Sequence, residues 1–206
     1  MERPVVLIGT PDDREGLVHV DFDFAAAGAM CVRHLLDLGH RHVGLLGQPA
    51  DTFARRAGYA LRARDGAMAT LRENGLREVW TPAVPSPAGV AEAIENLFGQ
   101  DPGLSALVVH NEQALPFVLG RPAQLGMRVP GDLSVLAICP DDQAEHLVPA
   151  VSDVALPARE LGGLAFERLA GLIGGEAQPV STLLAPPAQA PRQHGPTPPP
   201  PLRHTP

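Results

Sequence analysis

Apolar residues in this chain recur at two alternating periods, and the alternation sets the fold class. Ala25, Ala29, Val32, Leu35 and Leu36 follow the period of one helix face. Asp21 and Asp23 stand ahead of that face, where a helix N-terminus favours negative charge, and Gly39 follows as a C-cap. The reading is an amphipathic helix over 22–38. His42 to Gly47 then becomes a short aliphatic run ended by Gly47-Gln48-Pro49, which suits a strand buried on both faces. The same switch repeats along the chain. Strands are predicted over 4–9, 17–21, 43–46, 78–84 with a break at Pro82, 105–109 and 133–138. Helices are predicted over 59–74, stopped by Gly75, over 89–98 and over 111–125, with a long polar loop between the 43–46 strand and the 59–74 helix. Such a βαβαβαβ order calls for a parallel sheet covered by helices, with right-handed crossovers and a ligand site at the carboxyl ends of the strands. Pro116 falls in the first turns of the 111–125 helix and Pro122 in its interior. A lost amide hydrogen bond and a ring clash there cost about 3 kcal/mol, which predicts a kink or an early end.

Composition narrows the reading. The chain has 206 residues and is 45% hydrophobic, enough for a core in one large or two small domains. A net charge of -7 and a pI near 5.5 oppose a surface built to neutralise phosphates, so DNA binding by this chain alone is not expected. All 16 basic residues are Arg. The 2 cysteines, Cys31 and Cys139, are too few for a disulfide framework or a zinc site and fit a reducing interior. The first eleven residues carry only a short apolar run, and nothing later approaches a membrane span, so the chain reads as cytoplasmic. Over 185–206, 9 of 22 residues are Pro, and this tail reads as disordered or polyproline-like.

Three segments carry a family resemblance. His34-Leu35-Leu36-Asp37-Leu38-Gly39-His40-Arg41-His42-Val43 resembles the HLLxLGHRRI segment of LacI/GalR bacterial transcription repressors. NEQALPFVLGRPAQLGMRVP, from Asn111 to Pro130, is similar to that family's NDxxAxGxxxxxxxxGxxVP, and the chain then reaches Pro149, Val154 and Pro157 without a gap. The resemblance covers 4–184. It implies an α/β, periplasmic-binding-protein-like type I fold: a nearly complete C-terminal Rossmann-like lobe over 41–156 and a truncated N-terminal lobe made of 1–40 and 157–176, with a last strand over 177–184. The helix over 22–38 would belong to the first lobe, and the helix over 158–173 would return to it. The family's helix-turn-helix, hinge and opening strands have no counterpart here. The first lobe is therefore expected to be loosely packed or to self-associate through an open edge.

What the resemblance implies about function is an effector-sensing domain of a transcriptional regulator. It would bind a small, sugar-like polar molecule and pair with a second copy or a full-length relative, and it would reach DNA only through a domain absent from this chain. A polyol site needs donors and acceptors at hydroxyl spacing beside a flat apolar platform. Asn111 occupies the family's Asn position and either faces the cleft or caps its helix. Arg62 and Arg64 flank the family's Arg position, and a solvated helix face is the competing fate of each. The family aspartate is replaced by Cys139, with Asp141 and Asp142 as substitutes two positions on or as turn caps. Val84 stands where an aromatic platform is expected, and Trp80 reads as core.

Enzyme readings find little support. His19, His34, His40, His42, His110 and His146 form no HxxxH or HxH motif with carboxylates at metal spacing, and capping or solvent exposure accounts for His40 and His42. A phosphate loop needs a Lys, and the chain has none; GxSxG and GxGxxG are also absent. No cofactor or metal is expected. The alternatives are a degenerate fragment that retains only association and, third, a nucleotide-dependent enzyme.

Overall fold

The computed structural model describes residues 3–11, 16–140, 143–177 and 179–187. In chain order these form β1 (Val6–Ile8), β2 (Val18–Phe22), α1 (Phe24–Asp37), β3 (Val43–Gly47), α2 (Ala50–Ala54), α3 (Gly58–Glu73), β4 (Val79–Pro82), α4 (Pro87–Gln100), β5 (Ala106–Val109), α5 (Leu115–Gln124), β6 (Ser134–Pro140), β7 (Ser152–Leu156), α6 (Ala158–Ile173) and β8 (Ser181–Leu184). The strands make two sheets, ordered β1-β2-β8 and β4-β3-β5-β6-β7, with every pair parallel. This is the α/β architecture that the alternation of periods requires.

Local chemistry sets the helix ends. Asp23 is the N-cap of α1, its carboxylate accepting from Ala26 N at 2.9 Å, and Phe22 ahead of it belongs to β2. Gly39, at φ +96°, turns the chain back, and His40 N donates to Leu35 O. Ser86 caps α4 by accepting from Gly89 N, which starts that helix earlier than expected. Two elements were not anticipated: α2 occupies part of the expected polar loop, and β7 adds an edge strand beside β6. The expected helix over 111–125 begins only at Leu115, after a turn closed by Ala114 N donating to Asn111 O. Pro116 sits in its first turn, where an amide is dispensable, and the helix runs on past Pro122 to Gln124.

The five-stranded sheet is buried on both faces. Leu46 of β3 with Leu107 and Val109 of β5 face the core under α4 and α5, together with Ile94, Leu97 and Val118. Leu45 and Val108 point the other way, into a core with Cys31 and Leu35 of α1 and Leu71 of α3. That second core corrects the expected placement of the 22–38 helix with the first lobe: its buried face, Ala27, Cys31, Val32 and Leu35, packs on the five-stranded sheet and on α3. The reason is steric. A methyl group on Gly28 would stand 2.2 Å from Ala63 O, and one on Gly66 would stand 2.1 Å from Ala25 O, so α1 and α3 meet backbone to backbone. That contact also fixes the rotation of α3 about its axis.

The three-stranded sheet is covered more thinly. Its central strand β2 is buried throughout, whereas β1 and β8 have no buried residue. Helix α6 lies on β1 and β2 but buries none of its own side chains, leaving Phe166 72% and Ile173 70% exposed. Residues 185–187 have no regular structure, and most of the Pro-rich segment lies outside the described residues. No helix among the described residues is long and apolar enough to cross a membrane.

Candidate functional site

The carboxyl ends of β1 and β2 meet the starts of α1 and α3 around a cleft of about 290 Å³. One wall is the end of β1, Ile8 with the turn residues Gly9 and Thr10, together with Asp21 of β2 and Leu161 of α6. The other wall is Phe24 at the start of α1 and Gly58, Tyr59 and Arg62 at the start of α3. Because β2 leads into α1 through only Asp23, Asp21 and Phe24 are held at the crossing between the two walls.

Asp21 is the polar hub of the cleft. It is 4% exposed, and its Oδ2 accepts from Thr10 N and Thr10 Oγ1 at 2.8 Å each and from Arg62 Nη2 at 2.5 Å. Its Oδ1 accepts from Phe22 N at 2.8 Å. The ion pair joins the three-stranded sheet to a helix of the five-stranded one. The Arg62 guanidinium lies 6.0 Å from the centre of the Phe24 ring, while its Nε is buried without a hydrogen-bond partner. Aromatic rings floor the cleft: Phe24 is 5.7 Å from Tyr59 and 5.5 Å from the His110 imidazole. Burial lowers the His110 pKa to about 4, so the imidazole is neutral at pH 7. Burial, then the Glu112 carboxylate, raises the Tyr59 phenol above its ordinary pKa.

Behind Tyr59 the five-stranded sheet adds a second polar group. Its order β4-β3-β5-β6-β7 reverses direction between β3 and β5, the switch point where open α/β sheets leave a crevice. Gln48 after β3 reaches Glu112 after β5 at 3.4 Å, and Gln143 Nε2 donates to Glu112 O at 2.8 Å. Among the described residues no group of His, Cys, Asp or Glu side chains is arranged to hold a metal ion.

The residues singled out in the sequence scatter around this cleft. Arg62 lines it. Arg64, two positions on, points elsewhere: it pairs with Asp65 at 2.7 Å and stacks 5.0 Å from the Trp80 ring and 5.5 Å from Phe53. Trp80 is therefore a half-buried partner of that stack as well as of the core. Asn111 is 2% exposed and clips the sheet together, its Nδ2 donating to Gly47 O at 3.3 Å and Ala83 O at 3.0 Å. It neither lines the cleft nor caps α5, whose N-cap is Ala114. Val84 is 59% exposed in the loop after β4, outside the cleft lining. Cys139 is fully buried in β6, inside the core under α4 and α5. Asp141 and Asp142 lie outside the described residues.

His40 is buried rather than capping or exposed, whereas His42 is exposed as expected and pairs with a carboxylate. Buried His40 joins Ser105 Oγ at 2.9 Å and Ser134 Oγ at 3.1 Å, and His42 Nδ1 lies 2.9 Å from Asp101. Sequence reasoning missed Thr10, Asp21 as the buried carboxylate of the cleft, Phe24, Tyr59, His110 and Glu112. The available signal was the alternation in Val20-Asp21-Phe22-Asp23-Phe24, which places each carboxylate between apolar neighbours.

Comparison with known proteins settles the kinship. A family model described as a periplasmic binding protein-like domain matches residues 32–193. The chain belongs to that family. The lactose operon repressor of Klebsiella pneumoniae is 33% identical over 168 residues, covering 80% of this chain and 46% of the repressor. The HTH-type transcriptional repressor PurR of Edwardsiella ictaluri is 26% identical over 158 residues, 76% of this chain and 45% of PurR. Among solved structures, a putative LacI-family transcriptional regulator from Rhizobium etli superposes with a TM-score of 0.79 at 25% identity, covering 95% of this chain and 72% of that one. The chain thus spans about half the length of the curated relatives it matches, and those relatives are repressors of transcription rather than enzymes. It is a periplasmic-binding-protein-like domain similar to those of the lactose operon repressor and PurR.

Proposed function

We propose that the chain is the effector-sensing domain of a LacI/GalR-type transcriptional regulator and that it takes a small, sugar-like polar molecule in the cleft between its two sheets. The observation that carries this reading is the pairing of Asp21 with Arg62 above the Phe24 and Tyr59 rings. An acceptor and a fork of donors beside a flat apolar surface match alternating hydroxyls and the C–H face of a sugar ring. A volume of about 290 Å³ is at the small end of ligand sites and suits one or two rings. The two walls define the units of this reading: 3–22 with 157–187, and 23–156, so that the crossing falls at Asp23. Asn111 acts in it as a clip that holds the switch-point loops, and Arg62 as the arginine that touches ligand. Repression and DNA recognition are assigned to a protein that also carries a DNA-binding domain.

Pairing with a second copy belongs to the same proposal. Ile8 of β1, Leu183 of β8, Val5 and Val180 just ahead of those strands, and Phe166 and Ile173 of α6 are exposed apolar residues on one unit, and exposed apolar surface is where association sites form. Light scattering is expected to give a dimer, and a concentration-independent monomer would overturn this part. For the cleft, melting is followed with lactose, D-xylose, D-galactose and D-ribose. A ligand at 100 times its Kd adds about 2.7 kcal/mol to native stability. A rise in melting temperature with at least one of them, abolished in Tyr59→Ala, supports the reading; a flat response to every small polar ligand sinks it.

A further inference from the structure

We infer that the cleft selects neutral polyhydroxyl ligands against their anionic counterparts, and that Asp21 is the residue that sets this selectivity. The inference rests on the proposed effector site and adds the charge class of its ligand. Arg62 is the cationic side chain in the cleft lining, and it is already committed: Asp21, at 5% side-chain exposure, accepts from it across the cleft. Asp21 in turn is fixed by three further donors, Thr10 N, Thr10 Oγ1 and Phe22 N, and cannot swing away when a ligand arrives. An incoming carboxylate or phosphate would have to share a guanidinium with a held carboxylate, and like charges at that spacing repel strongly where water is scarce.

The next charges outward do not correct the balance. Around Tyr59 stand Glu112, Asp51 and Arg55, and Arg55 is itself 3.6 Å from Asp51. His110 adds no positive charge at pH 7. With Arg62 offset by Asp21 and Arg55 by Asp51, Glu112 leaves the surroundings slightly negative. A neutral hydroxyl avoids this penalty: it can donate to a free lone pair of Asp21 while its oxygen accepts from the part of the guanidinium that Asp21 leaves unused. The Arg62 side chain keeps 28% of its surface exposed, so part of the fork stays open to the cleft.

The test compares D-galactose with D-galacturonate and D-xylose with D-xylonate, with D-glucosamine as a cationic control, by calorimetry on the whole chain. Neutral sugars are expected to bind at least about tenfold more tightly than the acids. Asp21→Asn keeps the shape and an acceptor for Thr10 but frees Arg62, and is expected to tighten acid binding by about tenfold through a bidentate contact. The double variant Asp21→Asn with Arg62→Gln removes both charges, guards against a fold weakened by an unpaired arginine, and is expected to prefer neutral sugars again. Acids binding the native chain as well as neutral sugars, or an unchanged preference in Asp21→Asn, overturns the selectivity while leaving the effector site in place; D-glucosamine, which meets no repulsion from Asp21, is expected to bind no more weakly than D-galactose. Binding of none of these ligands overturns the effector site and this inference together.

Discussion

The two sheets are both parallel, yet they are buried to different degrees. Every residue of β3 and β5 is buried, with helices on either face, while β1 and β8 have no buried residue and α6 covers one side without sinking a single side chain. A parallel sheet carries apolar residues on both faces and is stable only when both are covered. The comparison teaches that the two halves of the cleft are unequal. One wall stands on a close-packed core that holds Tyr59 and Arg62 in place; the other, with Thr10 and Asp21, rests on a sheet whose outer strands keep apolar surface in water. At about 25 cal/mol per Å² of apolar area, that surface is a reservoir of binding energy for whatever covers it.

The comparison can be broken or sharpened by measurement. Leu107→Ala in the middle of β5 is expected to cost about 2 to 5 kcal/mol in denaturant unfolding, because the core around it cannot collapse onto the cavity. A cost below about 1 kcal/mol would show that the five-stranded sheet is less rigidly packed than its burial implies.

Acid should weaken the cleft from the five-stranded side. His110 is neutral in the native state down to about pH 4, whereas an unfolded imidazole takes up a proton near its ordinary value of about 6.5. Between those values the unfolded chain binds more protons, so stability falls as pH is lowered through that window, by about 3 kcal/mol if this group acts alone. Burial lowers His34 and His40 in the same direction. His110→Phe is expected to flatten the slope of stability against pH, and an unaltered slope would assign the titration to the other histidines.

The smallest effect is expected on the thinly covered side. Phe166→Ser should change the stability of the monomeric state by no more than about 0.5 kcal/mol, since little of the ring is removed from water. It should nevertheless weaken self-association. A loss of stability comparable with that of Leu107→Ala, at concentrations where the chain is monomeric, would erase the contrast between the two sheets.

Much of this arrangement was legible from residues close together in sequence. Asp23 capping α1, Gly39 reversing the chain and the full span of α6 depend on neighbours within a turn or two. The candidate site was less legible. The spacing of Arg62 and Arg64 named two candidates, but a rotation of α3 set by Gly28 and Gly66 against α1 decided which of them meets the cleft. Asn111 matched a family position and is used for a contact no local pattern reveals, with Gly47 across 64 residues of chain.

By itself, then, the sequence determined the alternation of strands and helices apart from α2 and β7, the ends of α1 and the kinship, because these follow from short-range periods and local hydrogen bonds. Tertiary structure alone decided that α1 sides with the five-stranded sheet and that Asp21 meets Arg62, 41 residues away, across the gap between the sheets. Long-range contacts of this kind are selected by packing volume and charge pairing in three dimensions, and neither leaves a period along the chain.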